Sequence, residues 1–138
     1  MVKFTYDENE DFLRGRALRG EVLGAEYNES TTQVGADDDF MGPLRQLSGE
    51  FVWGKIWSRP GLDIKSRRLI NIAMLAALNR QPEVATHIRA AVEEGGMTKE
   101  EVREVLLHVM AYCGIPAAVD AFRTAKEYFD SIEGENDA

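Results

Sequence analysis

Apolar residues recur at helical spacing along most of the chain. Residues three and four positions apart lie on one face of a helix, whereas a half-buried strand alternates apolar and polar residues. The sequence contains no β-branched run that alternates with polar residues over the length of a strand. The pattern therefore predicts an all-α fold, a helical bundle of about six helices.

The first predicted helix covers residues 8–23 and is followed by Gly24. One face of this helix carries Leu13, Leu18, Val22 and Leu23. The next segment, AEYNESTTQVGADDD at residues 25–39, is polar and rich in turn-forming residues. We expect it to be a loop, or an arm that lies on a neighbouring molecule.

A second helix is predicted over residues 39–57 and a third over residues 63–79, with Asp63 as the N-cap after the Pro-Gly break. The stretch LINIAMLAAL, residues 69–78, is apolar on nearly all sides. A helix with this pattern is buried all round. We expect it at the centre of the core or of a subunit interface.

The fourth and fifth helices have the clearest boundaries. Pro82 fits the first position of a helix that reaches Glu94, and the two glycines that follow end it. Thr98 and Glu101 have the spacing of a capping box, in which each side chain accepts a hydrogen bond from the backbone N–H of the other residue. The fifth helix is predicted to run from there to Tyr112.

Gly114 and Pro116 are expected to interrupt the helical pattern. A last helix is predicted over residues 117–132, followed by a frayed acidic tail. The two ends of the chain, residues 1–7 and 133–138, are expected to be flexible.

Composition limits the possible functions. A chain of 138 residues with 44% hydrophobic and 29% charged residues predicts one globular domain over residues 1–138. Its formal net charge is -8, and no run of lysines and arginines is present. Nucleic-acid binding needs clustered cations against phosphates, so no nucleic-acid partner is expected.

The N-terminal residues lack the apolar segment of a signal peptide, and no stretch approaches the roughly 18 apolar residues of a membrane span. We therefore expect no membrane partner and a cytoplasmic location. Cys113 is the only cysteine. An internal disulfide and a cysteine-rich metal cluster are thus excluded.

Four stretches resemble the carboxymuconolactone decarboxylase family, a branch of the alkylhydroperoxidase-like superfamily. They are RGRALRGEVLG (14–24), FVWGKIWSRPGLDIKSRRLINIAMLAAL (51–78), HIRAAVEEGGMTKEEVREVLLHVMAYCGIPAA (87–118) and AFRTAKE (121–127). The WGxIWxRPGLD block and YCGIPAA are the specific parts of this resemblance. The resemblance implies the family's helical fold and assembly into a homo-oligomer, a trimer or a hexamer.

The reductases of the same superfamily depend on a C-x-x-C motif followed three residues later by histidine. When the chain is aligned on His87, the two cysteine positions fall on Arg80 and Glu83. Peroxide reduction needs an attacking and a resolving thiol. This departure argues against peroxidase activity.

The activity that the resemblance implies is the conversion of 4-carboxymuconolactone to 3-oxoadipate enol-lactone by loss of CO2, within the protocatechuate branch of the β-ketoadipate pathway. No cofactor and no metal are expected, because the unsaturated lactone can itself accept the electron pair of the breaking bond. Two alternatives stay open. One is another activated lactone or keto acid, and the other is a non-catalytic oligomeric binding protein.

His87 is the expected proton donor or oxyanion partner, since the family motif has a histidine at this position. Glu83 precedes it by one helical turn and is expected to orient the imidazole or raise its pKa. On spacing alone, a surface histidine beside an ordinary glutamate is the favoured interpretation, and the motif match reverses this preference.

Arg80, Arg67 and Arg68 are the expected carboxylate-binding residues, because a guanidinium group matches a carboxylate with two parallel hydrogen bonds. Arg67 and Arg68 lie near the start of a helix, where the helix dipole disfavours cations. The alternative interpretation is a solvated cationic face paired with nearby acids.

Trp53 and Trp57 share one helix face and are expected to shield the flat lactone from water, with Glu50 facing the same cavity. The alternative for the tryptophans is core packing or an oligomer contact, and we favour one tryptophan in the pocket and one in the core. His108 is interpreted as a core or interface histidine, and Cys113 as a small apolar residue rather than a nucleophile.

Overall fold

The computed structural model describes residues 3–34 and 36–137, and every regular element within these ranges is a helix. The predicted all-α fold is therefore confirmed. The helices are α1 (Glu10–Leu23), α2 (Ala25–Val34), α3 (Gly42–Leu47), a π-helix (Ser48–Trp57), α4 (Ile64–Ala77), α5 (Gln81–Glu93), α6 (Lys99–Cys113) and α7 (Ile115–Asp137). The chain divides into two compact units, residues 1–64 and 65–138, which are described separately.

In the first unit, α1 begins two residues later than predicted because Asn9 is its N-cap. The Asn9 side chain accepts a hydrogen bond from the backbone N–H of Phe12. Phe12 is buried, whereas Leu13, which was predicted on the apolar face, is 46% exposed. Gly24 ends the helix with φ 98°, a conformation that side chains other than glycine rarely adopt.

The prediction of a loop over residues 25–39 is wrong for the first part of this segment, because α2 begins directly after Gly24. Tertiary hydrogen bonds explain this helix better than its own weak apolar pattern does. The Asn28 side chain is buried and donates to the Arg16 carbonyl at 3.0 Å, and it accepts from Arg19 at 2.9 Å. The rest of this segment consists of turns, apart from position 35, which lies outside the described residues.

The helix predicted over residues 39–57 is present but changes its winding. It begins as α3 at Gly42 and continues from Ser48 as a π-helix of 10 residues. A π-helix is wider than an α-helix and occurs mostly as short insertions, often at functional sites. Both tryptophans lie on this π-helix.

Glycines allow α1 and the π-helix to approach each other at backbone distance. A Cβ atom on Gly15 would lie 1.9 Å from the Gly49 carbonyl oxygen, and a Cβ on Gly54 would lie 2.4 Å from the Asp11 carbonyl oxygen. Side chains cannot occupy such spaces, so only glycine fits there.

The second unit is built from α4, α5, α6 and α7 around an apolar core. The predicted capping box is confirmed, since the Thr98 hydroxyl accepts from the Glu101 N–H at 3.1 Å and Glu101 accepts from the Thr98 N–H at 3.0 Å. The core comprises Ile72, Ala76, Val84, Ile88, Ala91, Met97, Val102, Leu106, Val109, Ala121, Ala125 and Phe129.

The stretch LINIAMLAAL on α4 is not buried all round. Ile72 and Ala76 are fully buried, whereas Ile70 is 45% and Met74 53% exposed. Only one face of α4 packs in the core of this unit, and the opposite face leaves apolar side chains at the surface. The prediction of an all-round buried helix is therefore wrong within a single chain.

The last helix is longer than predicted. Gly114, with φ 97°, separates it from α6, but α7 starts at once with Ile115 and continues to Asp137. Pro116 does not delay the helix because the first helical turn needs no intrahelical N–H donor at that position. The predicted end at residue 132 and the frayed tail are thus corrected for residues 133–137.

Candidate functional site

The residues predicted from the sequence to form the site fall into both units. Glu50, Trp53 and Trp57 belong to the first unit, and the other five belong to the second. Those five are Arg67, Arg68, Arg80, Glu83 and His87.

Trp53 and Trp57 stack on each other along the π-helix. Their ring centroids are 4.8 Å apart and the rings are inclined by 19°. Both side chains are only 7% exposed. Trp53 lines a small, partly open cavity, and Trp57 lines a shallower groove that includes Arg14, Arg59 and Pro60. The stacked pair is thus buried and lies against two separate concavities.

Glu50 is engaged in a structural network of the first unit. One of its carboxylate oxygens accepts from the Asn9 side chain at 2.7 Å and from the Gln46 side chain at 2.6 Å. Gln46 also exchanges two hydrogen bonds with the backbone of Asp7. The hydrogen bonds from Asn9 and then Gln46 lower the pKa of Glu50 below its usual value.

Replacing Glu50 with glutamine is expected to destabilise the first unit at pH 7. A carboxylate with a lowered pKa in the folded state adds stability above its unfolded pKa, and this contribution is lost as the pH falls through the folded pKa. The difference in melting temperature between wild type and Glu50→Gln should therefore shrink as the pH drops below about 4. Tryptophan fluorescence during heating measures it, because both tryptophans lie in this unit.

The matched control is Glu21→Gln, which changes an exposed glutamate on α1. This variant should melt like wild type at every pH. A Glu50→Gln deficit that stays constant from pH 7 to pH 3 would contradict the assigned role of the carboxylate.

In the second unit, α5 carries His87 and Glu83 as predicted. The Asn71 amide nitrogen of α4 lies 3.3 Å from both ring nitrogens of His87. Asn71 does not select one ring nitrogen, so this contact leaves the tautomer of His87 open.

Glu83 is bound to Arg80 at the start of α5. The Arg80 guanidinium donates to Glu83 at 2.8 Å, and both side chains are partly exposed. This hydrogen bond is the main cause that lowers the pKa of Glu83, and the charge of His87 acts in the same direction. Glu83 is therefore ionised, as an orienting or charge-stabilising neighbour of His87 must be.

Arg68 is 5% exposed and lies against Gly95, at the turn that follows α5. Its burial lowers its pKa, and the charge of Glu94 opposes this effect. Arg67, the preceding residue on α4, is half-buried. Within this unit, Arg80 and Glu83 form one contact pair, whereas Arg68 packs at the other end of α5.

The exposed apolar face of α4 forms one wall of a groove of about 810 Å³, and α6 forms the other. His108 and Cys113 line this groove and are both exposed, so His108 is not a core histidine of this unit, and its interpretation as an interface histidine stays a prediction. The remaining lining is mostly apolar, with Leu69, Ile70, Ala73, Met74, Val105 and Tyr112.

Sequence reasoning missed a cluster of three arginines in the first unit. Arg16 and Arg19 on α1 and Arg45 on α3 line the same small cavity as Trp53. The spacing of Arg16 and Arg19 at i and i+3 indicates a shared helix face and was visible in the sequence. The position of Arg45 could not be read from the sequence, because it depends on how α1 packs against α3.

Among residues 3–34 and 36–137, no group of three or more histidine, cysteine, aspartate or glutamate side chains is arranged to hold a metal ion. Over the same residues, no helix combines the length and the apolar character needed to cross a membrane.

Comparison with known proteins gives two informative relatives and one family match. The profile of the carboxymuconolactone decarboxylase family matches residues 44–127. The 4-carboxymuconolactone decarboxylase of Acinetobacter baylyi is 36% identical over 127 residues, which cover 91% of this chain and 92% of that protein. The nitrosuccinic acid decarboxylase of Metarhizium robertsii is 36% identical over 110 residues, which cover 80% of this chain and 75% of that protein.

Proposed function

Because the chain belongs to the carboxymuconolactone decarboxylase family, we propose that it is a carboxy-lyase that converts 4-carboxymuconolactone to 3-oxoadipate enol-lactone. The observation that carries this proposal is the 36% identity to a 4-carboxymuconolactone decarboxylase over 91% of this chain and 92% of that one. Similarity along nearly the whole of both chains favours a shared reaction more than a shared fold alone would.

The reaction needs an acceptor for the electron pair of the breaking bond. In 4-carboxymuconolactone, the ring carbon that loses CO2 is attached to a C=C bond conjugated with the lactone carbonyl. The electron pair of the C–COO⁻ bond moves into the ring and gives an enolate whose negative charge lies on the carbonyl oxygen. A proton then adds to the carbon next to that carbonyl, and the product is the enol-lactone.

The protein has three tasks in this scheme. It binds the carboxylates, stabilises the developing oxyanion with a hydrogen-bond donor, and supplies the proton. We assign the oxyanion contact or the proton to His87, with Glu83 as its ionised neighbour. The contact of Asn71 with the His87 ring and the ion pair of Glu83 with Arg80 support a fixed arrangement of this part of α5.

The second relative favours one alternative substrate class. In nitrosuccinic acid, the carbon that carries one carboxylate also bears a nitro group, which accepts an electron pair, and a carboxymethyl arm. The reacting carbon of 4-carboxymuconolactone has the same three attachments: a carboxylate, an electron acceptor and a carboxymethyl arm. Decarboxylation of another acid of this pattern is therefore the second candidate function.

The remaining expectations from the sequence belong to the same proposal. They are a cytoplasmic homo-oligomer, a trimer or a hexamer, that acts without a cofactor in the protocatechuate branch of the β-ketoadipate pathway. The exposed apolar groove between α4 and α6 supports the oligomer, because apolar surface of this kind is often covered by a partner.

The test is a direct assay of the purified protein. 4-Carboxymuconolactone is generated enzymatically, CO2 release and enol-lactone formation are followed with and without chelator, and nitrosuccinic acid is assayed in parallel. Chelator-resistant turnover of the lactone well above the spontaneous rate supports the proposal. Turnover of nitrosuccinic acid alone would favour the second candidate, and turnover of neither by a folded protein would contradict both.

Replacing Cys113 with serine is expected to leave kcat and KM for the lactone nearly unchanged. Cys113 is an exposed single thiol, and a decarboxylation driven by the substrate's own electron acceptor needs no nucleophile. Steady-state kinetics measures the effect. Loss of activity in a folded Cys113→Ser protein would show that a thiol takes part after all.

A further inference from the structure

A cavity of about 30 Å³ in the first unit is lined by more positive charge than the surrounding residues neutralise. Residues of α1, α2, α3 and the π-helix surround it. Three arginines line it together with Tyr6 and Trp53. The other lining residues are Phe12, Asn28, Thr31, Thr32, Ser48 and Gly49, most of which are polar and uncharged.

The arginines have few acidic partners among the described residues. Arg19 donates to the neutral oxygens of Asn28 at 2.9 Å and Thr31 at 2.7 Å. The Nε atom of Arg45 is buried without a hydrogen-bond partner in the described part of the chain. Arg16 is the exception, with a carboxylate oxygen of Glu8 at 3.6 Å. A buried guanidinium donor without a protein partner is costly, and a carboxylate oxygen in the cavity would satisfy it.

The charges of the three arginines all act on the Tyr6 side chain. Burial raises the pKa of Tyr6, and the charges of Arg45, Arg16 and Arg19 all oppose this rise. Burial also lowers the pKa of Arg19, Tyr27 opposes this effect, and the nearby charge of Arg45 adds to it. Like charges held together in a partly desolvated place repel each other. An anion in the cavity would relieve that repulsion.

We propose that Arg16, Arg19 and Arg45 form a binding site for the carboxylate group of a small organic acid. The existence of this site rests on the cavity and its arginines alone, independently of the proposed function. No residue of this cluster was among the carboxylate-binding residues predicted from the sequence.

The size of the cavity fits one end of a substrate. One water molecule needs roughly 10–15 Å³ measured with a water-sized probe. The cavity therefore has room for a carboxylate group and not for a whole lactone. Trp53, which lines the same cavity, offers an apolar surface for the part of the ligand next to the carboxylate.

Succinate is the probe for this site, because it contains a carboxymethyl group and cannot be decarboxylated by the proposed route. Wild-type protein is titrated with sodium succinate at constant ionic strength, and tryptophan fluorescence and melting temperature are recorded. Saturable quenching and a rising melting temperature are expected, since a ligand that binds only the folded state stabilises it. Arg45→Met and Arg19→Met should each weaken binding at least tenfold.

Two further variants separate this site from general effects of charge. Arg123→Met removes an exposed arginine of the second unit and should bind succinate like wild type. Arg45→Lys keeps the charge but not the fork of donors, so binding should weaken by several fold with the fold intact. Without ligand, Arg45→Met should melt no lower than wild type, because it removes one of three like charges.

Three results would overturn the proposal. One is wild-type succinate affinity in folded Arg45→Met and Arg19→Met proteins, and another is no saturable binding by wild type. The third is inorganic phosphate binding as tightly as succinate, which would make the site a general oxyanion site.

Discussion

Gly15→Ala is expected to destabilise the first unit by about 2 kcal/mol or more, the largest stability loss among the single substitutions considered. The new Cβ would lie 1.9 Å from the Gly49 carbonyl oxygen and 2.7 Å from the Gly54 nitrogen. Both are backbone atoms of the π-helix, so no side-chain rotation can relieve the overlap. A backbone overlap this severe lies at the upper end of the overpacking range, about 3 kcal/mol or more, and the intrinsic gain of alanine over glycine in a helix, about 1 kcal/mol, offsets only part of this.

Chemical denaturation followed by tryptophan fluorescence measures this loss, because Trp53 and Trp57 lie on the π-helix that would be displaced. The matched control is Gly134→Ala on α7, where a Cβ would meet nothing within 4 Å. That variant should be as stable as wild type or slightly more so. A Gly15→Ala protein with wild-type stability would mean that α1 and the π-helix do not pack at backbone distance.

The contrast between α6 and α2 illustrates which helices a sequence can predict. The start of α6 was predictable because the Thr98–Glu101 capping box is local, and four residues contain the whole interaction. The start of α2 was not, because its stabilising contacts join Asn28 to Arg16 and Arg19 on another helix. Without knowledge of those contacts, a polar segment directly after a glycine is predicted to be a loop.

The candidate site likewise contains residues whose placement the sequence predicts and residues whose placement it does not. The placement of His87 and Glu83 one turn apart on α5 follows from local helix signals and was correctly predicted. The arginine cavity arises where α1, α2 and α3 meet, so it required the tertiary structure. The sequence also favoured one tryptophan in a pocket and one in the core, whereas both are buried and each lies against a concavity.

His87→Ala is expected to lower kcat for the lactone by at least ~100-fold, since general acid catalysis by a positioned side chain contributes about 10²–10⁴-fold. KM should change little, because the assigned role of His87 is in the transition state and carboxylate binding is assigned to arginines. Steady-state kinetics on protein with a wild-type circular dichroism spectrum measures both constants. The matched control is His108→Ala, which removes the other histidine of the chain and should retain activity.

The variant His87→Gln distinguishes the two roles open to the imidazole. A glutamine amide donates a hydrogen bond to an oxyanion but does not supply a proton to carbon. If His87 stabilises the oxyanion, His87→Gln should retain far more activity than His87→Ala. If His87 supplies the proton, both variants should lose activity to a similar extent. A loss below tenfold in a folded His87→Ala protein would transfer both roles to another residue, and the arginine cavity beside Trp53 would be the first place to look for it.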